Sequence, residues 1–429
     1  MSVPEASEAP DAPDAGNAPD APDASERPLR LLGRSFDGFD RALSRQLPKA
    51  AVGPAEHRLP DILDLQEQVV GGDAATSGAA DLLLVVTDWL PALIADGKLL
   101  PLDPYFAKDP PAGWPEVWHP AVRELQRGPD GSTYGVPYHV GPMMLLYRAD
   151  LYDDPAERTG FAERFGYPLA APDTWEQYLD QARWFTRPDE GRYGTIVAGY
   201  PDEHNTVYDF LTQLWSRGAE LTDADGRLSL DSTQALDSAR FLYDLWHTHR
   251  VVDPAAAQWD SVASGVHFAA GEAAMMVNWS GFAALSAPED SPTHGRVRCA
   301  PVPRADVPGG GRVALNSYWV LALAAGSRRP DAAYELLRGL TTAEMDRITA
   351  QEGGTATRRD SWSDPAVSRL APYYAEFEEA HEHTRALPRD PRWPRISEVL
   401  NDTVGSLVTG AASPADAVAL AHRRLDDLN

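Results

Sequence analysis

Short apolar runs alternate along this chain with longer stretches in which apolar residues recur at helical spacing. Residues 80–86 read ADLLLVV, an apolar run that predicts a strand buried on both faces by flanking helices. A first strand is predicted at 29–33 and a helix at 39–47, and helical spacing predicts further helices at 205–217 and 232–249. Strands that alternate with helices indicate an α/β sheet protein.

Two further elements are predicted between the first strand and the buried run. Residues 57–65 have the character of a second strand, and residues 66–78 that of a helix ending at a Thr-Ser-Gly turn. Farther along, Thr174 has Gln177 three residues after it, which is the spacing of a capping box and predicts the start of a helix.

Length, charge and cysteine content limit the classes of protein to consider. The 429 residues exceed what one hydrophobic core usually serves, so two lobes are expected. The formal net charge of −26 repels the phosphates of nucleic acids, and we expect no nucleic-acid partner. The single cysteine, Cys299, excludes an intrachain disulfide and a cysteine-based metal site, and its apolar neighbours predict a buried core residue.

The beginning of the chain has its own composition. Residues 1–26 contain no Lys or Arg and repeat Ala-Pro-Asp, which predicts a disordered acidic tail. No run is long and apolar enough to span a bilayer. The sequence as written lacks a basic, apolar leader and a lipid-bearing cysteine, which predicts a cytoplasmic protein. A leader encoded upstream would instead predict export.

Residues 130–152 read DGSTYGVPYHVGPMMLLYRADLY, a turn followed by an apolar strand-like run and then Arg-Ala-Asp-Leu. This stretch resembles the first crossing between lobes in family 1 extracellular solute-binding proteins, the carbohydrate-binding subunits of ABC importers. Residues 87–102, which end in Gly-x-Leu-x-Pro-Leu, resemble the same family, as do residues 268–279, where Gly-x-Ala-Ala-Met precedes an apolar strand. The resemblance covers about residues 28–429.

The resemblance implies a two-lobed periplasmic-binding-protein-like α/β fold of type II, with a ligand cleft between the lobes. The implied division assigns residues 27–140 and 297–330 to the first lobe, and residues 141–296 and 331–429 to the second. It also implies that a bound ligand draws the lobes together by hinge motion.

In function, the resemblance implies a protein that binds a small solute, which we expect to be a mono- or oligosaccharide. If the protein is exported, it would deliver that solute to the permease subunits of an ABC importer, and we expect it to be a monomer. The absent leader leaves a second interpretation open. A cytoplasmic protein with the solute-binding fold would act as an intracellular receptor, or as an enzyme on a biosynthetic intermediate.

A site for a neutral sugar needs flat aromatic rings together with a few aimed hydrogen-bond donors and acceptors. Strand ends, chain crossings and the family resemblance select these candidate ligand contacts: Phe36, Asp37, Asp88, Trp89, Tyr138, His139, Trp279, Asn316, Tyr318, Trp319, Arg358 and Trp393.

Several of these candidates have a structural alternative. Asp37 and Asp88 are equally suited to capping helices. Tyr138 and His139 are equally suited to a structural role in the hinge, and Arg358 to a surface position. Sequence does not separate these roles.

Alternation along a strand separates the three candidates near residue 317. Asn316 and Tyr318 share one face and Trp319 lies on the other, so one of the two rings is expected to belong to the core. For the strongest aromatic candidates, we predict that Trp89→Ala or Trp279→Ala weakens ligand binding and leaves thermal stability roughly unchanged.

Motifs of catalysis are not found in the sequence: no nucleophile elbow, phosphate loop, dinucleotide fingerprint or zinc-ligand spacing is present. The glycine run at 309–311 lacks the Lys and Ser/Thr of a phosphate loop and predicts a flexible connector. His381 and His383 are two residues apart, so on a helix they point away from each other and predict a solvated face. We therefore expect no catalytic residue, no metal and no cofactor.

Overall fold

The structure is a computed structural model that describes residues 27–50, 53–390 and 392–429; the predicted acidic tail at 1–26 lies outside the described residues. Its strands are β1 Leu29–Leu32, β2 Ala55–Arg58, β3 Leu82–Val86, β4 Val136–His139, β5 Met143–Arg148, β6 Tyr193–Ile196, β7 Ala273–Trp279, β8 Val297–Ala300, β9 Ala314–Asn316, β10 Trp319–Leu323 and β11 Thr384–Ala386. Its α-helices are α1 Asp37–Ala50, α2 Ile62–Gln66, α3 Leu90–Ala95, α4 Asp103–Phe106, α5 Pro120–Glu124, α6 Ala149–Asp153, α7 Pro155–Phe165, α8 Trp175–Phe185, α9 Asn205–Ser216, α10 Thr233–Trp246, α11 Ser261–Ala269, α12 Pro330–Leu340, α13 Ala343–Gln351, α14 Arg359–Trp362, α15 Pro365–Ser368, α16 Phe377–Glu382, α17 Trp393–Thr409 and α18 Pro414–Asp426.

Five strands form the first sheet, in the order β2-β1-β3-β10-β4. The strands β1, β2 and β3 are parallel, and β10 runs antiparallel to both β3 and β4. Every residue of β3 is buried, which confirms the doubly buried strand predicted at 80–86. We call this sheet, with the helices packed on it, the first lobe.

Four strands form the second sheet, in the order β6-β7-β5-β8, and we call it, with its helices, the second lobe. Strand β5 is antiparallel to β7 and β8, while β6 is parallel to β7. Trp279 at the end of β7 pairs with Met143 at the start of β5. Because β5 begins directly after the chain leaves the first sheet, this pairing places the end of β7 beside the crossing between lobes.

The chain crosses from the first sheet to the second through residues 140–142. The predicted lobe ranges differ from the structure at several elements: β8 and β9 lie with the second lobe, whereas α12 and α13 pack against α1 of the first lobe. Strand β8, which the range 297–330 assigns to the first lobe, satisfies its backbone hydrogen bonds on the edge of β5. Helix α12, which the range 331–429 assigns to the second lobe, follows β10 after a short turn and buries its apolar face in the first core.

The segment between β2 and β3 also differs from the prediction. The expected strand at 57–65 stops at Arg58, because Pro60 interrupts it and the Asp61 carboxylate accepts from the backbone N–H groups of Leu63 and Asp64 at 2.9 and 3.0 Å. The expected helix at 66–78 is replaced by a π-helical turn at Glu67–Gly71 and further turns.

The observed starts of three helices agree with the sequence-based predictions. The predicted helices at 205–217 and 232–249 are confirmed as α9 and α10. Thr174 Oγ1 accepts from the backbone N–H of Gln177 at 3.2 Å, which confirms the predicted start of α8. The Gln177 side chain reaches back to accept from the Asp173 N–H rather than from that of Thr174.

The predicted solvated face at 381–383 is wrong for His381. This ring is 1% exposed and stacks on Trp362 at a centroid distance of 5.0 Å. Its Nδ1 lies 2.6 Å from the carbonyl oxygen of Phe377. Helix α16 is short and packs that face inward, so the surrounding rings exclude water. Burial lowers the pKa of His381 to about 4, which keeps the ring neutral.

Each lobe has its own large core. The first core contains β3, β10 and the apolar faces of α1 and α12, and the second contains α9, α10, α17 and α18. Among the described helices, none combines the length and the apolar composition that crossing a bilayer requires.

Candidate functional site: a cavity between the lobes

A cavity of about 450 Å³ lies between the two lobes, a volume within the range of small-molecule sites. The side chains of its first-lobe wall include Arg34, Phe36, Phe39, Ile62, His139 and Trp319. The side chains of its second-lobe wall include Tyr200, Asp202, His204, Tyr208, Asp260 and Trp279. Any molecule that fills the cavity therefore contacts both lobes.

Aromatic rings form much of the first-lobe wall. Phe36 and Phe39 meet edge to face at a centroid distance of 5.1 Å, and Phe39 in turn meets Trp319 at 6.0 Å. These residues sit where β1 passes into α1 and where β10 begins, so the same edge of the sheet presents all three rings. This edge is where an open α/β sheet usually holds its ligand.

Arg34 is the cation of the first-lobe wall. Its guanidinium lies over the Trp319 ring, 5.6 Å from the ring centroid. Within the described residues it has no hydrogen bond and no ion pair, although Asp260 and Asp202 lie across the cleft. Burial lowers the pKa of Arg34, and the two carboxylates oppose that shift. Its N–H donors are therefore free to bind a ligand.

His139 adds a neutral donor to the same wall. Its Nδ1 accepts a hydrogen bond from the backbone N–H of Thr355 at 2.9 Å, so the proton of the neutral ring is on Nε2. Burial, with the nearby Arg34 charge, lowers the pKa of His139 to about 3. The ring is neutral at any ordinary pH, and its Nε2–H lies on the side of the cavity near Gly281.

Two aspartates bring carboxylates to the second-lobe wall because they hold helix starts. Asp202 Oδ1 accepts from the backbone N–H groups of His204 and Asn205, at 2.9 and 3.1 Å. Asp260 caps α11, and its Oδ1 accepts from the N–H of Ala263 at 2.8 Å. In the described part of the chain, the Oδ2 atom of each has no hydrogen-bond partner. Each cap therefore leaves one oxygen available as an acceptor.

Trp279 is the flat ring of the second-lobe wall. Its indole N–H donates to Asn205 Oδ1 at 3.2 Å, and Asn205 is held in turn by Asn278 Oδ1 at 3.3 Å. The Tyr208 ring meets Trp279 edge to face at 5.6 Å. The amide pair and the tyrosine fix the indole plane at the end of β7.

The lobes touch directly at one side of the cavity. Tyr208 on α9 donates its hydroxyl proton to Asp88 Oδ2, at 2.6 Å, and Asp88 lies in the turn after β3. Trp89, next to Asp88, meets the His204 ring at 6.5 Å. These contacts span the cleft, so the structure is a closed arrangement of the two lobes.

Four of the sequence-predicted contacts line this cavity: Phe36, His139, Trp279 and Trp319. They come from four separate places in the sequence, and the fold brings them together around one space.

Four predicted contacts are packing residues instead. Trp89 is 5% exposed and packs against Trp319 in the first core, because the turn after β3 points it inward. Tyr138 is buried and donates to Gln46 at 2.8 Å. Tyr318 is fully buried in the break between β9 and β10, where the predicted strand alternation does not hold, and Trp393 is buried in the second core at the start of α17.

The remaining four predicted contacts do not line the cavity either. Asp37 is exposed at the first turn of α1. Asp88 is used in the contact with Tyr208. The Asn316 side chain donates to the carbonyl oxygen of Ala121 at 3.0 Å. Arg358 is buried against Trp118 and ion-paired with Asp360.

Sequence reasoning missed the charged members of the site. Arg34 stands just beyond the first strand, at the sheet edge where a ligand is expected, so its position was a usable signal. Asp202 and Asp260 carry no comparable signal, because an aspartate before a helix is first of all a cap. Tyr208 lies within the apolar pattern of α9, where a ring is read as core.

Grouped metal-ligand side chains are not seen in the described part of the chain: no three His, Cys, Asp or Glu residues lie together in the way a metal ion requires.

Sequence comparison gives a family and distant relatives. The family model described as bacterial extracellular solute-binding protein matches residues 64–346. The chain is 24% identical, over 83% of its own length and 81% of the relative's, to a probable ABC transporter-binding protein of Deinococcus radiodurans. It is 26% identical to an arabinooligosaccharide-binding protein of Halalkalibacterium halodurans, over 29% of this chain and 24% of that protein.

Structure comparison gives the same architecture. Maltose-bound MalE3 of T. maritima superposes with a TM-score of 0.79 at 24% identity, covering 94% of this chain and 99% of that one. A solute-binding protein of Agrobacterium radiobacter in complex with ribitol superposes with a TM-score of 0.82 at 21% identity, covering 94% and 98%. These likenesses show the two-lobed fold.

Proposed function

The chain belongs to the bacterial extracellular solute-binding protein family, and we propose that it binds a neutral polyhydroxylated solute, a sugar or a polyol, for an ABC importer. The observation that carries this proposal is the cavity of about 450 Å³ between the lobes, with rings and unpartnered hydrogen-bonding groups on facing walls. Such a space suits a molecule with weakly polar C–H faces and hydroxyls at its edge.

The polar groups of the cavity suit hydroxyls in particular. A hydroxyl both donates and accepts, so it can donate to Asp202 or Asp260 and accept from Arg34. His139, held neutral, supplies another donor without adding charge. An anionic solute would be repelled by the two carboxylates, whereas a neutral polyol can donate hydrogen bonds to the carboxylates and accept them from the guanidinium. Hydrogen bonds to charged groups are the stronger ones, which favours this recognition.

The relatives support the sugar or polyol class. One relative is named for arabinooligosaccharides, and structures of the same fold hold maltose or ribitol. The rings of Trp279 and Trp319 stand on opposite walls, which suits a ring or chain of carbons lying between them.

Binding and closure are coupled in this proposal. The ligand contacts both walls only when the lobes are together, so it shifts the population toward the closed arrangement. Closure then marks the loaded protein for the importer. The protein works outside the cytoplasmic membrane, as a monomer, and releases its solute chemically unchanged. Fractionation of cells with an antibody against the chain tests the location, and recovery in the cytoplasmic fraction alone contradicts it.

Calorimetric titration tests the ligand class. The panel contains maltose, ribitol and an arabinose oligosaccharide as neutral members, with gluconate as an anion and glucosamine as a cation. We expect binding by at least one neutral member. Binding by the charged members alone, or product released from any member, contradicts the proposal.

Two variants connect that binding to the cavity. Arg34→Met and Asp260→Asn are each expected to weaken it about tenfold. Asparagine still caps α11, so the second change removes charge and not the helix start. Arg369→Met and Asp290→Asn, at exposed positions, are the matched controls and should bind as the parent does. Equal loss in controls and cavity variants would place the effect outside the cavity.

A further inference from the structure

One end of the cavity between the lobes is lined by aliphatic side chains. Ile62 and Leu63 line it from the start of α2, which follows β2. Strand β2 is one edge of the first sheet, and β4, from which the chain crosses to the second lobe, is the opposite edge. The two side chains therefore stand at the mouth of the cavity, on the side away from the crossing.

Apolar side chains of the second lobe line the same cavity. Tyr200 comes from the loop after β6, and Val262 comes from the first turn of α11. The cavity is thus bordered by apolar groups of both lobes. We call these four side chains, Ile62, Leu63, Tyr200 and Val262, the apolar rim.

The apolar rim stays open to solvent although the lobes are closed. Among the described residues, the strongly exposed large apolar side chains are Leu63, Tyr200, Val266, Val307, Leu370 and Leu420. Leu63, at 59%, and Tyr200, at 42%, line the cavity from opposite lobes. Val266 lies one turn beyond Val262 on the same face of α11 and extends this surface. Exposed apolar groups therefore gather at this mouth.

A sugar or polyol alone leaves the apolar rim unused. Its hydroxyls need hydrogen-bond partners, and the side chains of Ile62, Leu63 and Val262 offer none. These aliphatic groups also lack the flat face on which a sugar ring stacks. Covering exposed apolar surface with an apolar group is favourable, and contiguous surface of this kind marks a binding site. The rim therefore suits a part of the solute that is not a sugar.

Resting on the proposed function, we propose that the solute is a glycoside or a similar conjugate, whose neutral alkyl or aryl substituent lies against the apolar rim. The hydroxylated part bonds to Arg34, Asp202 and Asp260, and the substituent passes out between Leu63 and Tyr200. A cavity of about 450 Å³ admits a small molecule and no folded partner, so the substituent belongs to the solute itself.

The charged groups near the rim favour a neutral substituent. The Asp61 carboxylate accepts from the backbone N–H groups of Leu63 and Asp64, at 2.9 and 3.0 Å, and the Glu203 carboxylate accepts from Ser397 Oγ at 3.4 Å. Asp61 and Glu203 both line the cavity. An anionic chain, such as that of a fatty acid, would be repelled by these carboxylates. A hydrocarbon substituent is not, and the exposed Asp61 keeps its water beside it.

Calorimetric titration with matched pairs of ligands tests the substituent. The pairs are methyl and hexyl β-glucoside, and methyl and hexyl β-maltoside, whose members differ only in the length of the alkyl chain. Each fully buried methylene group raises affinity about fourfold, and the rim covers such a chain in part. We expect the hexyl member of a pair to bind about tenfold more tightly or better, with a more negative heat-capacity change.

Polar substitutions locate the effect. Leu63→Asn and Val262→Thr should each lower the preference for the hexyl member about threefold or more, because each removes part of the apolar rim. Leu420→Asn is the matched control, since Leu420 is 50% exposed on α18, outside the cavity lining, and this variant should keep the preference. The melting temperature of each variant verifies that it is folded.

The outcomes separate this inference from the proposed function. Hexyl members that bind no more tightly than their methyl partners overturn the inference, and so does a preference that either rim variant keeps unchanged. An equal loss of the preference in Leu420→Asn overturns it as well. In each case the proposed function stands as long as a sugar or polyol binds. Absence of binding by every glycoside, by maltose and by ribitol contradicts the proposed function itself.

Discussion

The two walls of the cleft are built in different ways. The first-lobe wall presents Phe36, Phe39 and Trp319 with a single cation, Arg34, all at one edge of the five-stranded sheet. The second-lobe wall presents carboxylates from loops and helix starts, such as Asp202, together with one indole. One wall is mainly apolar and the other mainly polar.

This difference separates two ways of placing a functional group. On the first wall, the start of α1 and the start of β10 set the positions of the rings, so the rings also pack in or against a continuous core. On the second wall, Asp202 and Asp260 each use one oxygen for a helix start and keep the other for the cavity. Substitutions on the first wall are therefore expected to lower the free energy of unfolding. Conservative substitutions on the second wall are expected to lower the affinity for the ligand.

The largest expected effect is on the first-lobe side. Trp89→Ala should lower the free energy of unfolding by about 3–5 kcal/mol, because it empties a buried ring position beside Trp319. The sequence-based prediction of unchanged stability for this variant does not fit that burial. Denaturant unfolding measures the effect, and a loss below that of Trp279→Ala would contradict the contrast between this buried ring of the first core and the cavity-lining ring of the second lobe.

The next largest effect concerns Trp279, the flat ring of the second-lobe wall. Trp279→Ala should weaken sugar or polyol binding by about 2 kcal/mol, roughly thirtyfold, because it removes the flat ring of the second wall. Its stability loss should be clearly smaller than that of Trp89→Ala, since the ring is only partly buried. Titration calorimetry gives the affinity. Trp259→Ala, outside the cavity lining, is the control and should keep it.

A smaller effect depends on pH. Burial, with Arg34 nearby, lowers the pKa of His139 to about 3, whereas an unfolded histidine takes up its proton near pH 6.5. Between these values the unfolded chain holds more protons, so stability is present above about pH 6.5 and falls by about 1 kcal/mol per pH unit below it. The difference in unfolding free energy between the parent and His139→Gln, followed from about pH 7 to 5, isolates this term. A constant difference across that range contradicts it.

The smallest effect concerns a predicted contact that the fold leaves outside the cavity. Asp37→Asn should change the unfolding free energy by about 0.5 kcal/mol or less, through the first turn of α1. It should leave ligand affinity unchanged, because the side chain is exposed and does not line the cavity. A tenfold loss of affinity would contradict this prediction and would place Asp37 among the ligand contacts of the first-lobe wall.

Local patterns predicted the frame of the molecule well. The run at 80–86 is the doubly buried β3, and Trp279 stands at the end of a strand as expected. Such features depend on residues near each other in sequence, whose periodicity and capping act wherever the segment lies. The strand expected at 57–65 failed for the same kind of reason, because Asp61 is a stronger local signal than the apolar residues around it.

The direction of single rings was predicted less well. Trp89 and Trp279 both follow apolar strands, yet the first is buried against Trp319 and the second lines the cavity. Nothing adjacent to them in sequence separates the two. The neighbours that decide are distant residues, Trp319 for one and Asn205 for the other.

Periodicity and caps were enough to predict alternating strands and helices, since these follow from neighbours within a few residues, and the family resemblance implied two α/β lobes with a cleft between them. The fold alone set Arg34 opposite Asp202 and Asp260, turned Trp89 inward and brought Asp88 up to Tyr208 and His204. Those pairs join segments more than a hundred residues apart. Their side chains are buried and their charges face each other only after both lobes are assembled and closed.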